Sequence, residues 1–318
     1  NGILSVGEYV FKGCSSLESV IFENVALKKI SVDMFSGCSA LSSIALPDSV
    51  TEIEKYAFFE TGLRNIQLPE KLTLIGAYAF CNCKNLKQVQ LPSQLKELGD
   101  GAFSGCENLA QIQLPSQLNK LGGDAFRDCT SLDKIDIPAG LKQIESGTFC
   151  NTGLTSVTLH EGMTKIKDGA FHDCLKLKKI RIPKSVTNIG GLALGIRYNR
   201  ENGAEEVIPG GFTVEGYTGS AAERYVKRMH QSENLYHVFF TDVKFVSIGG
   251  QTTAVTNISK TKISALKTRT FTGKPLTQAI TITYGGKKLV NGRDYTLTWK
   301  NNTNIGTASV TIKGKGKY

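Results

Sequence analysis

The sequence predicts a solenoid of short stacked repeats, closed by a capping segment and followed by a separate all-β module. Three observations predict this. Phenylalanine recurs at 11, 35, 58, 80, 103, 126, 149 and 171, at intervals of 22 to 24 residues. Each Phe opens the same apolar frame. The basic excess lies wholly at one end. Residues 1–192 carry 20 Lys+Arg and 20 Asp+Glu, residues 193–245 carry 6 and 7, and residues 246–318 carry 12 and 1. A fixed period of this length marks a repeat architecture, and a charge step marks a module boundary.

Within a unit, the frame from Phe103 reads FSGCENL, AQIQLP, SQLNKLGGDAF, and the frame from Phe126 reads FRDCTSL, DKIDIP, AGLKQIESGTF. The segment L-x-x-I-x-L-P (Leu86/Val89/Leu91, Leu109/Ile112/Leu114, Leu132/Ile135/Ile137) alternates apolar and polar, as a strand with one buried face does. Pro92, Pro115, Pro138 and Pro183 follow directly, and a residue without an N–H ends a ladder. A second apolar pair, Leu95/Leu98 or Leu118/Leu121 or Leu141/Ile144, defines a returning wall. The Ala-Phe that follows is expected on a short helical turn. No single unit can bury its own apolar face, whereas stacked units share one continuous core.

These residues, the I-x-L-P strands, the V/L-x-x-I pair and A-F-x-x-C-x-x-L, resemble the BspA-like leucine-rich repeats of bacterial surface proteins. The resemblance implies a leucine-rich-repeat solenoid over residues 1–245, β-rich α/β with short convex helical turns. It also implies a non-catalytic protein for adhesion or for protein or glycan binding. The stretch FTVEGYTGSAAERYVKRMHQ (212–231) resembles the closing unit of that family. Ser220 and Glu223 are expected to cap a helix that buries Tyr225, Val226 and Met229. With YHVFF (236–240), that helix should seal a cap over about residues 193–245. GLALGIRYNRENGAEEV departs from the frame, so the ninth unit is expected to be irregular.

Residues 246–318 form the second module. The stretches AITITYGG, DYTLTWKNN and TASVTIKGKG alternate as strands between Gly and Asn turns. The run FTGKPLTQAITITYGGKKLVNGRDYTLTWKNNTNIGTASVTIKGKGKY resembles Ig-like modules of Gram-positive surface proteins, implying an all-β Ig-like sandwich. That family continues with another strand, so the module is expected to be incomplete at its closing edge. Its basic residues, in 258–318, suit an anionic wall polymer, host glycosaminoglycan or nucleic acid, or simply a soluble spacer. Nucleic acid is disfavoured, because aromatics are not interleaved with the cations. The chain opens inside a repeat, and a longer exported precursor is expected. No apolar run approaches the length of a membrane span. The two resemblances imply an extracellular location, at the surface of a bacterium of Gram-positive type.

Eight cysteines raise the question of chemistry. Six of them (Cys14, Cys38, Cys83, Cys106, Cys129, Cys174) stand three residues after a frame Phe. The two units without one read FFETGL and FCNTGL and are a residue shorter. A cysteine that comes and goes with loop length behaves as a packing residue. Cys81 and Cys83 lack the paired spacing of a zinc site, and no repeat motif supplies a nearby His to activate a thiol. Four histidines occur outside any recognisable catalytic motif. No catalytic residue, metal or cofactor is expected.

The outward positions flanking the strand Ile are the candidate binding face, expected on the concave side: Asn65, Gln67, Gln88, Gln90, Gln111, Gln113, Lys134, Asp136, Lys179 and Arg181. Asn and Gln ladders can hydrogen-bond a glycan or an extended partner, host or bacterial, though such ladders also simply keep a sheet solvated. Few aromatics accompany them, so the stacking platform of a sugar cleft is missing from the stripe. Two alternatives to adhesion remain open at this stage: a carbohydrate-binding accessory region of a larger secreted enzyme, and a structural stalk.

Overall fold

The computed structural model describes residues 5–23, 25–230 and 240–248. In the C-terminal part it describes 262–263, 281–284, 287–291, 293, 295–300 and 309–314. The chain divides into two compact units, Asn1–Ile248 and Gly249–Tyr318.

The first unit is a solenoid whose walls are parallel ladders between successive repeats. The I-x-L-P segments pair in register: Asn65–Gln67, Gln88–Gln90 and Gln111–Ile112 form one sheet, with Ile66, Val89 and Ile112 turned into the core. Each following proline, or His160 in its place, starts a tight turn. Its carbonyl accepts the amide three residues on, as Leu95 N to Pro92 O at 3.1 Å and Leu118 N to Pro115 O at 3.0 Å. That turn delivers the returning wall. There Lys29–Ile30, Glu52–Ile53, Leu74–Ile75, Glu97–Leu98 and Lys120–Leu121 make a five-stranded parallel sheet, and Gln143–Ile144, Lys165–Ile166 and Asn188–Ile189 make a second one.

The expected helical turns at Ala-Phe are absent, and a third parallel ladder stands in their place. Around Phe103, the amides of Gly101, Phe103 and Gly105 donate to Gly123, Ala125 and Arg127 of the next unit, each at 2.8 Å. The residues two before and two after Phe are left-handed, as Tyr78 (φ 56°) and Asn82 (φ 59°) around Phe80. Alternating handedness turns every second amide toward the neighbouring unit, which a helix cannot do, because helical amides bond along their own chain. Among the described residues the only α-helix is Ala221–His230, in the cap.

The walls enclose a column of phenylalanines. From Phe11 to Phe171 successive rings stack with centroids 5.2 to 5.8 Å apart and planes within 16°. From Phe35 onward each is buried, and burying one such side chain is worth about 1.5–3 kcal/mol. In the ninth unit Leu194 takes the Phe position behind Ala193, and the irregular stretch forms a hairpin, Ile196–Asn199 against Ala204–Val207.

The cap builds its own three-stranded parallel sheet on the last I-x-I-P strand. Phe212–Gly216 pairs in parallel with Lys179–Arg181, and Val243–Ser247 pairs with Phe212–Gly216, so this unit runs past residue 245. The helix buries Tyr225, Val226 and Met229 as its pattern predicts. Its capping differs from expectation. Glu223 Oε2 accepts the amide of Gly219 at 2.6 Å rather than that of Ser220, whose amide bonds Tyr217 O. Ser220 Oγ is buried with no partner among the described residues. Phe240 is buried in the core, whereas 236–239 lie outside the described residues.

In the second unit Ile282–Tyr284 pairs antiparallel with Lys262–Ile263 and Lys287–Lys288, and Tyr295–Lys300 pairs with Ser309–Gly314. Ile282–Tyr284, Tyr295–Lys300 and Ser309–Gly314 lie on the three alternating stretches, whereas Lys262–Ile263 and Lys287–Lys288 lie outside them. Closure of the expected sandwich rests on residues outside the described ones.

Candidate functional site

The exposed side of the first sheet is built by the alternation of its strands, in which the central residue is buried and its neighbours are exposed. Register stacks like residues across the units. Asn65 faces Gln88 and Gln88 faces Gln111, while Gln67 sits between Ala45 and Gln90. All are exposed. Gln113 is exposed one residue beyond its strand. The other four predicted positions are exposed too, but they belong to different sheets. Lys134 and Asp136 pair with Ser156 and Thr158, and Lys179 and Arg181 pair with Thr213 and Glu215. Lys179 Nζ lies 3.6 Å from Glu215 Oε1. The Asn/Gln patch is thus one continuous ladder, and the charged positions are not part of it.

Where the repeats meet the cap, a cleft of about 390 Å³ opens beside Arg181, away from the Asn/Gln ladder. Thr158, Glu161, Arg181 and Tyr217 line it with Val157 and Leu159. Glu161 accepts the amides of Lys184 and Ser185 at 3.0 and 3.2 Å, and these bonds hold its carboxyl below the usual range. The repeat frame gave no sign of Tyr217. The usable signal was its place after Gly216, at the end of the cap strand that pairs with Lys179–Arg181.

The frame cysteines do more than fill space. The thiols of Cys38, Cys83, Cys106, Cys129 and Cys174 donate to the Phe carbonyl of the preceding unit at 3.0 to 3.2 Å. In the two shorter units Thr61 and Thr152 stand at the same place, three after Phe. Their hydroxyls bond their own Phe carbonyl at 3.0 and 2.9 Å and touch the next cysteine sulfur at 3.1 and 3.2 Å. Burial pushes Cys83 and Cys174 up to about 12. All eight cysteines are free, and Cys14 alone is exposed.

One thiol does meet a histidine, contrary to the sequence reading. Cys150 and His172 occupy the residue after Phe in adjacent units, and stacking brings Sγ and Nδ1 to 4.0 Å. His172 also lies 3.1 Å from Asp173 Oδ2 and 2.7 Å from Glu205 Oε2. Burial opposes its charge, but the bonds to Asp173, Cys150 and Glu205 prevail and raise it to about 11.

Parallel in-register ladders, an I-x-L-P strand in every turn and a stacked Phe column define a leucine-rich-repeat solenoid. Residues 4–132 and 73–195 match the BspA type leucine-rich repeat region, in six copies. The chain belongs to that family. Among solved structures it is similar to a leucine-rich-repeat protein from Bacteroides ovatus, with 26% identity and a TM-score of 0.57 over 78% of this chain and 67% of that one. It is also similar to a leucine-rich cell surface protein from Faecalibacterium prausnitzii, with 28% identity and a TM-score of 0.41 over 57% of this chain and 62% of that one. No curated protein matches the chain. Among the described residues no helix is long and apolar enough to cross a membrane.

Proposed function

We propose that this chain is a non-catalytic binding protein of the bacterial cell surface, with the Asn/Gln ladder of the first sheet as its contact face. The observation that carries the reading is the register of Asn65, Gln67, Gln88, Gln90 and Gln111, exposed on consecutive strands. Neighbouring strands stand about 4.8 Å apart, so the amides offer paired donors and acceptors at regular intervals to an extended protein segment or glycan. Membership of the BspA type leucine-rich repeat family supports the location. The basic 246–318 stretch serves as an Ig-like spacer and contacts anionic wall polymer.

A glycan-binding reading, as an accessory region of a larger secreted enzyme, is favoured by the cleft at the cap. There Tyr217 supplies the aromatic surface that the ladder lacks, beside Arg181. The test is binding of the whole chain to three surfaces: a glycan array, immobilised host matrix proteins, and purified Gram-positive cell walls. Saturable binding to host protein or wall supports adhesion, and binding confined to polysaccharides supports the accessory reading. Failure on all three sinks both and leaves the stalk.

A further inference from the structure

Cys150, His172 and Asp173 bring a sulfur, a nitrogen and an oxygen ligand atom within 4.8 Å of one another. The separations are 4.0 Å for Sγ to Nδ1 and 3.1 Å for Nδ1 to Oδ2. Zinc bonds of about 2.0–2.3 Å in a tetrahedron put ligand atoms roughly 3.3–3.7 Å apart. Closing the sulfur–imidazole gap by a few tenths of an ångström, and the sulfur–carboxylate gap, which lies within 4.8 Å, by up to about 1 Å, converts this cluster into a coordination set. We propose that Cys150 Sγ, His172 Nδ1 and Asp173 Oδ2 bind one Zn²⁺, leaving the fourth tetrahedral position to water.

The surroundings fit the assignment. Glu205 Oε2, 2.7 Å from Nε2, accepts that proton, so Nδ1 becomes the ligating nitrogen once it gives up the proton it directs at Asp173 Oδ2, 3.1 Å away. A carboxylate behind a ligating imidazole is the usual outer support of a zinc site. The amide of Tyr198 donates to Asp173 Oδ1 at 2.9 Å, which frees Oδ2 for the metal. Tyr198 and Glu205 are register partners in the hairpin of the ninth unit, so one element supplies both supports. Thiolate with imidazole selects zinc over the hard cations. Binding sends the thiol and Nδ1 protons to solvent, and one thiolate and one carboxylate then neutralise the ion. Arg127 lies near Cys150 and Arg200 near Asp173, and Arg127 is already engaged by Asp124 at 3.1 Å and Asp128 at 3.8 Å.

The competing account is a closed ion-pair network, with a protonated His172 between Asp173 and Glu205 and no affinity for metal. The experiment titrates the whole chain, stripped with chelator, with Zn²⁺ against a chromophoric competitor and then with Co²⁺ followed by absorption. Expected are one equivalent of Zn²⁺ and a thiolate-to-cobalt charge-transfer band. Cys150→Ser should abolish that band. Asp173→Asn, which keeps an acceptor for Tyr198, should lower affinity at least roughly tenfold, and Glu205→Gln by about 10–100-fold. Cys81→Ser, a thiol at the same frame position three units away with no such partners, should change nothing. Absence of a bound equivalent overturns the proposal, as does binding that survives Cys150→Ser or is lost in Cys81→Ser.

Discussion

Cys106 is held by two units at once: its side chain packs among the stacked phenylalanines, and its thiol donates to Phe80 O at 3.2 Å. Packing was legible in the sequence from the six-fold recurrence at one frame position. The hydrogen bond was not, because it crosses to the carbonyl of the preceding unit, and only stacking reveals that neighbour. Thr61 and Thr152 carried the hint, since a hydroxyl in place of a thiol preserves a donor. Buried thiols with raised pKa values stay protonated at neutral pH and are poor nucleophiles. In the native chain Cys14 should react with a thiol reagent in seconds, while Cys38, Cys83, Cys106, Cys129 and Cys174 should wait for denaturant. Rapid native modification of those five would contradict the packing. Cys150 and His172 were in principle legible too, because equal frame positions in adjacent units must stack.

Elements depend on backbone proximity that no periodicity displays. The shorter units carry Gly62 and Gly153 because the loop there runs against the preceding unit. A Cβ on Gly62 would stand 2.1 Å from Ser39 O, and one on Gly153 2.2 Å from Thr130 O. Gly62→Ala should therefore destabilise by about 3 kcal/mol, the upper part of the overpacking range, seen as a lowered denaturant midpoint; an unchanged midpoint would refute the close approach. The third ladder was likewise hidden. Gly, Asn and Asp at the second position after Phe (Gly13, Gly37, Asn82, Gly105, Asp128, Asn151, Asp173) were its usable signal, since these residues tolerate left-handed backbone best. In the cap, Tyr225 Oη donates to Leu194 O and accepts from Leu194 N, both at 2.9 Å and buried. Tyr225→Phe should cost about 1–3 kcal/mol by stranding both groups, and calorimetry of the variant would show it as a lower Tm.

At the scale of the whole molecule, stacking turns a repeated strand into a repeated surface. The frame specifies the core, so the solenoid was readable from the sequence. The exposed positions are free to vary, and their grouping into separate sheets was not readable. The charged positions beyond Gln113 leave the ladder for this reason, and the function rests on the amide patch. The most direct measurement compares the whole chain with its Gln88→Ala, Gln90→Ala, Gln111→Ala, Gln113→Ala variant on the host matrix, cell-wall and glycan surfaces. These side chains are exposed, so the variant should melt at the same temperature as the parent. The account predicts that binding weakens roughly tenfold or more, about 1.4 kcal/mol. Equal binding by parent and variant would contradict it.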